Sequence, residues 1–166
     1  IKMACGENPK RVYGGRSSAP STRMGNLRAT RTAFLQAQRY LASLEKHARK
    51  SAEEKPRHKR KPKRKRGKDD DEDDALGPER TLDSETLVGV LRGEILPQVH
   101  CYRADDMLSM LQVADEFGFR IRSFHHATDA YKIRDILAER QVAASTWADS
   151  WTFKLEAYDA IPETPA

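Results

Sequence analysis

The spacing of apolar residues changes period several times along the chain, and each change marks an element. Leu96-Pro-Gln-Val-His100 is short and largely apolar, as a buried strand would be. From Ala104 to Phe117, the residues Met107, Leu108, Leu111, Val113, Ala114 and Phe117 recur at the three-and-four spacing of one helix face, and Gly118 stops it. Phe119 to Phe124 alternates apolar with polar and then meets His125 and His126. Helical spacing returns from Asp129 to Arg140, with Tyr131, Ile133, Ile136 and Leu137 apolar, and Gln141 to Trp147 reads as a third strand. The pattern predicts β-α-β-α-β from about 96 to 147. Helices joining strands at such short range make neighbouring strands parallel and the crossovers right-handed.

Upstream, Ile1 to Cys5 reads as the tail of a strand, broken by Gly6-Glu-Asn-Pro-Lys-Arg11. Tyr13 to Thr22 is rich in Gly, Ser and Pro and is expected to be a loop. Arg16, Ser21, Thr22 and Arg23 then read as solvated loop polars, with a functional loop as the alternative. Met24 to about Ala52 carries a long helical pattern through Ala33, Phe34, Ala37, Tyr40, Leu41 and Leu44. Thr81 to Leu91 predicts a short helix with Leu82, Leu87, Val90 and Leu91 on one side and Thr81 or Asp83 as its cap. Between these helices Lys55 to Lys68 carries ten Lys or Arg, and Asp69 to Asp74 carries six acids. Like charges in blocks repel and seldom fold, so a disordered insert or linker is expected. The organisation is then 1–54 and 79–166 as folded segments flanking a charged insert at 55–78.

At 166 residues the chain is long enough for one domain with a real core. No apolar run is long enough to cross a membrane, and no secretory signal stands at the start, so a cytoplasmic location without a membrane partner is expected. The chain opens on a strand already under way and closes on a loop, which points to a piece of a longer protein. Of the net charge of +5 the charged insert supplies +4, so the body is nearly neutral and shows no phosphate-binding face. A nucleic-acid-associated protein acting through Lys55–Lys68 is therefore the alternative reading and not the leading one. Cys5 and Cys101 make no disulfide framework and read as small buried residues.

The candidate chemistry sits at strand ends. His100 and His126 are 26 positions apart, and His126 and Trp147 are 21 apart, the lengths of β/α repeats. In a barrel of such repeats the carboxyl ends of the strands share one mouth, where active sites sit. Neutral imidazole is a common metal ligand, so two strand-end histidines point to a metal site. Strand alternation sends His125 to the face opposite His126 and makes it structural. His47 and His58 carry no signal. Tyr102, Arg103 and Asp105 follow His100 in the loop over the mouth and are candidates to hold substrate. Trp147, Trp151 and Phe153 would line a pocket or fill the core.

With these pieces placed, the chain resembles the metal-dependent amidohydrolases, in particular members similar to imidazolonepropionase and prolidase-like members. The residues that carry the resemblance are Ile1 to Gly14, Pro20 to Gly25, Val99 to Asp106, Ser123 to Ile133, Ser145 to Asp149 and Glu156 to Glu163. The resemblance implies a (β/α)8 TIM barrel with one or two divalent metals, zinc, at its mouth. It implies hydrolysis of an amide or cyclic amide C–N bond in a small or peptide-like substrate. It places His100 on the fifth-strand metal ligand, His126 on the sixth, and Lys2 on the fourth-strand lysine that is carboxylated in some members. His126 and Lys2 are then the catalytic candidates, and Tyr102, Arg103 and Trp147 the substrate-binding ones. No His-x-His pair and no eighth-strand aspartate is present, so the implied site is incomplete within these residues. A degenerate barrel without activity and a homo-oligomer both stay open.

Overall fold

The computed structural model describes residues 1–53, 77–147 and 154–161. The expected insert, apart from Gly77 and Pro78, lies outside the described residues, as do His58, Trp151 and Phe153. The elements run β1 (Lys2–Ala4), α1 (Glu7–Gly14), α2 (Arg23–Glu53), α3 (Leu82–Leu91), β2 (Gln98–His100), α4 (Ala104–Phe117), β3 (Ser123–His125), α5 (Arg134–Glu139) and β4 (Ala143–Ser145). Single 3-10 turns at Ala130–Ile133 and Leu155–Ala157 complete them.

The four strands form one parallel sheet in the order β1-β2-β3-β4, so the chain is α/β. The β-α-β-α-β expectation for 96–147 holds. Because the register is shared across all four strands, Ala4, His100, His125 and Ser145 lie on one level and Lys2, Gln98, Ser123 and Ala143 on another. Met3, Val99 and Phe124 point to the other face, where the helices pack. Val99 and Phe124 are fully buried with Met107, Met110, Leu111 and Phe34. Lys2, Ala4, Gln98, Ala143 and Ser145 are exposed. One face of the sheet therefore carries the core and the other carries polar and small side chains.

Helix α4 has the bounds its periodicity predicts, and Gly118 takes the left-handed conformation that closes a helix end without a Cβ penalty. Helix α2 inserts Phe34 between Phe119, stacked at 4.5 Å, and Phe117 at 5.4 Å. Both aromatic rings of 117–119 thus anchor the long helix to the sheet layer.

Four local expectations are corrected. Residues 7–14, read as a breaker and the start of a loop, form a helix. Pro9 falls in its first turn, where a helix asks no backbone N–H of it. The helix expected over 129–140 is divided: Ala130–Ile133 is tightened into a 3-10 turn by Asp129, whose N–H bonds to the Tyr102 carbonyl and whose own carbonyl accepts from Lys132. Only 134–139 is α-helical. The strands are shorter than their patterns, although Arg122 still bonds to Pro97 and Ala143 to Arg122 just ahead of β3 and β4. Cys5 and Cys101 are not separate thiols but a disulfide. Ala4 pairs with His100, so the next residues of the two adjacent strands meet, at a Cα separation of 5.4 Å. No helix among the described residues is long and apolar enough to cross a membrane.

Candidate functional site

The carboxyl ends of β1, β2 and β3 bring together side chains that lie far apart in sequence. His100 ends β2 and is 8% exposed. His126 follows β3 by one residue and adopts a left-handed backbone at φ 59°, which turns its ring back over the strand ends. The two imidazole centroids are 4.7 Å apart. Tyr102 stands edge-on to His100 at 5.0 Å and stacks on His126 at 5.8 Å. Trp147, just past β4, stacks on His126 at 5.7 Å and donates its indole N–H to Nδ1 at 2.6 Å.

Both imidazoles are held neutral. Burial pushes His100 down to about 4, helped by His126 and by the positive charges of Lys154 and Lys2. Burial also lowers His126, with Lys2, His125 and Lys154 adding to it. Lys2 is exposed and lies on the same face as His100, one side-chain level further from the strand ends, about 7 Å along the strand.

His125 is level with His100 in the register, so alternation along a continuous strand does not describe the pair His125–His126. The positive φ of His126 ends the strand geometry between them. His125 contacts Ser123 Oγ through Nε2 at 3.0 Å. Arg103 grips Asp105 with two bonds, at 2.8 and 2.9 Å, outside the histidine cluster.

A second set of residues surrounds the cluster, and pattern alone did not single them out for it. Asn8 Nδ2 lies 2.6 Å from His100 Nε2, and Asn8 Oδ1 accepts from Lys154 Nζ at 3.1 Å. Lys154 also sits 4.0 Å above the Tyr102 ring. Glu156, its side chain only 2% exposed, accepts from the Glu7 backbone N–H at 2.6 Å and from Arg23 Nη2 at 2.8 Å. Arg23 also pairs with Asp106, whose carboxyl burial pushes up against the pull of that guanidinium. Arg23 is thus a bridge between two carboxylates and not a solvated loop polar. The early sign of this set was that Glu7, Asn8, Arg23, Asp106 and Glu156 all fall in the stretches that carry the family resemblance.

Neutral imidazoles fit a divalent cation by type and protonation state. Their lone pairs, however, are engaged. Indole N–H can only donate, so His126 Nδ1 is an acceptor and its proton is on Nε2. Among the described residues, no group of three or more His, Cys, Asp or Glu side chains is arranged to hold a metal ion. His100 and His126 therefore offer two ligands, and a complete site needs more.

None of the protein-family models matches the chain. It is 35% identical, over 98% of its length, to amidohydrolase tasK of Hapsidospora irregularis. It also superposes with a TM-score of 0.74 on the crystal structure of an amidohydrolase from Thermotoga maritima MSB8, at 34% identity over 96% of this chain. The chain belongs to the amidohydrolase superfamily. It spans 15% of the length of tasK and 36% of the solved chain. Against the Thermotoga amidohydrolase the similarity therefore covers the four-stranded sheet, its helices and the histidine cluster together.

Proposed function

We propose that this chain supplies the histidine-bearing sector of a (β/α)8 barrel that hydrolyses an amide or cyclic amide C–N bond in a small or peptide-like substrate, with one or two divalent metals, zinc first among them. The observation that carries this reading is the pair of neutral imidazoles at the ends of adjacent parallel strands, 4.7 Å apart. The sequential strand order, with the core on one face only, supports the barrel, since a doubly wound sheet reverses its strand order. Both relatives are named amidohydrolases, which supports a hydrolase.

A bound zinc ion would polarise the scissile carbonyl and acidify a water molecule. His100 and His126 would hold it, with Lys2 as a further ligand if its amine is carboxylated. Tyr102 and Trp147 each stack on the His126 ring and would present flat faces to a substrate ring or amide plane. Arg103, just past His100, would hold a carboxylate or carbonyl of the substrate. A histidine at this mouth would also donate to the developing oxyanion.

The test uses the longer protein that contains this chain. His100→Ala and His126→Ala should each lose metal and hydrolysis, while His125→Ala should mainly lower stability. Lys2→Ala should lose activity, part of which short carboxylic acids restore. Full metal content and turnover in the His100 and His126 variants would refute the reading.

A further inference from the structure

We propose that Asn8 caps the His100 Nε2 lone pair and thereby sets how tightly this site takes a divalent cation; the inference rests on the metal reading above. Asn8 lies in the first turn of α1, directly beyond β1. The direction of its amide is fixed by chemistry. An ammonium group only donates, so the Asn8 atom 3.1 Å from Lys154 Nζ is the oxygen. The amide nitrogen then faces His100 at 2.6 Å, and since it too only donates, Nε2 is the acceptor.

A hydrogen-bond donor and a cation compete for the same imidazole lone pair. Ligation through Nε2 therefore requires the Asn8 contact to break. The cap is not loose. Lys154 is itself fixed above the Tyr102 ring at 4.0 Å and 3.8 Å from Glu156 Oε2. Rotating the amide to present its oxygen to His100 would point its nitrogen at the ammonium, donor against donor. Asn8 and Lys154 are thus positioning residues that act on His100, and they couple cation uptake to the placement of α1 and of residues 154–156. A merely structural Asn8 would make no such link: its replacement would leave cation affinity unchanged.

The experiment is a cobalt(II) titration of the longer protein that contains this chain, after chelation, read by visible absorbance, for the wild type, Asn8→Ala, Lys154→Met, Lys154→Arg and His100→Ala. Alanine is a better helix former than asparagine, so Asn8→Ala keeps α1. Asn8→Ala should bind cobalt about tenfold tighter, the equivalent of one neutral hydrogen bond that no longer has to break. Lys154→Met should tighten binding by a smaller factor, and Lys154→Arg should return it toward the wild-type value. His100→Ala should abolish binding with or without Asn8→Ala. Nitrogen-resolved NMR of the metal-free wild type should show His100 protonated on Nδ1 and bare on Nε2. Unchanged or weaker binding in Asn8→Ala, with His100→Ala still abolishing it, would overturn the cap and leave the metal reading standing. A protonated Nε2 would overturn the cap as well. Cobalt binding that survives His100→Ala, or is absent from the wild type, would overturn the metal reading and the cap with it.

Discussion

Two glycines with positive φ, one crowded and one open, show what an added Cβ would cost at the site. Both have φ 74°, but ψ is 26° at Gly118, the left-handed helical region, and -138° at Gly6, a conformation that essentially only glycine adopts. An alanine Cβ at Gly118 would meet nothing within 4 Å, so Gly118→Ala should cost only the left-handed conformation, about 1–2 kcal/mol. At Gly6 the added Cβ would stand 2.6 Å from Glu156 Oε1 and 3.2 Å from Asp106 Oδ2. A side-chain tip can usually swing away, but Glu156 Oε1 is held by the Glu7 N–H and by Arg23. Its displacement weakens bonds to a buried carboxylate. Overpacking of this kind costs about 1–3 kcal/mol beyond the backbone strain. The overpacking part, at about 2 kcal/mol, corresponds to about 4–8 °C in a domain of this size. The assay is thermal unfolding of both variants, alone and with Glu156→Ala. In the Glu156→Ala background the Gly6→Ala loss should shrink by the overpacking part and keep the backbone part, because the atom it collides with is gone. A Gly6→Ala loss that is the same in the wild-type and Glu156→Ala backgrounds would refute the close packing of the β1 loop on this carboxylate.

Two further outcomes are expected. The Cys5–Cys101 disulfide closes a loop of 96 residues, so Cys5→Ala with Cys101→Ala should lower stability by about 4.7 kcal/mol on the chain-entropy account, measured by denaturant unfolding; a loss below about 1 kcal/mol would contradict it. His100 is held neutral with its pKa lowered to about 4, so between about 6.5 and 4 the unfolded chain binds more protons than the folded one. Metal-free stability should therefore fall as pH drops through that window, and His100→Gln should flatten the fall; a profile unaltered by His100→Gln would place the titration elsewhere.

How far the fold could be read ahead depended on how local its causes are. Six apolar residues at helical spacing followed by glycine determine α4 almost alone. The strands were recognisable, yet their ends are set by where neighbours stop pairing, which no single strand reveals. Helix α1 was hidden because Pro9 looks like a breaker until its place in the first turn is known. The split of 129–140 depends on Asp129 bonding to Tyr102, a contact across two loops. Among the site residues, His100 and His126 could be placed at strand ends from spacing, and the structure brings their rings together. Asn8, Lys154 and Glu156 could not be assigned to them, since their partners lie about as far along the chain as it allows: 146 residues separate Asn8 from Lys154 and 149 separate Glu7 from Glu156.

Those distant partners explain why the loops at the strand ends hold one geometry. Three strands of three residues each supply little ladder beyond His100 and Ala4, and a loop that leaves a strand end is free to swing unless something ties it down. Here Arg23, at the start of α2, pairs with Asp106 in the first turn of α4 and with Glu156. Glu156 in turn holds the backbone of Glu7, and Asn26 donates to the carbonyl of Gly6 at 2.7 Å. The loop after β1 is thereby fixed from both sides, and the segment that fixes it also carries Lys154. The guanidinium between two carboxylates is more than a surface pair, because removing it would leave buried Glu156 beside Asp106 without the cation that bridges them. The placement of Asn8 over His100 follows from this network, so the residues that determine how the histidines present their lone pairs are the charged ones behind them.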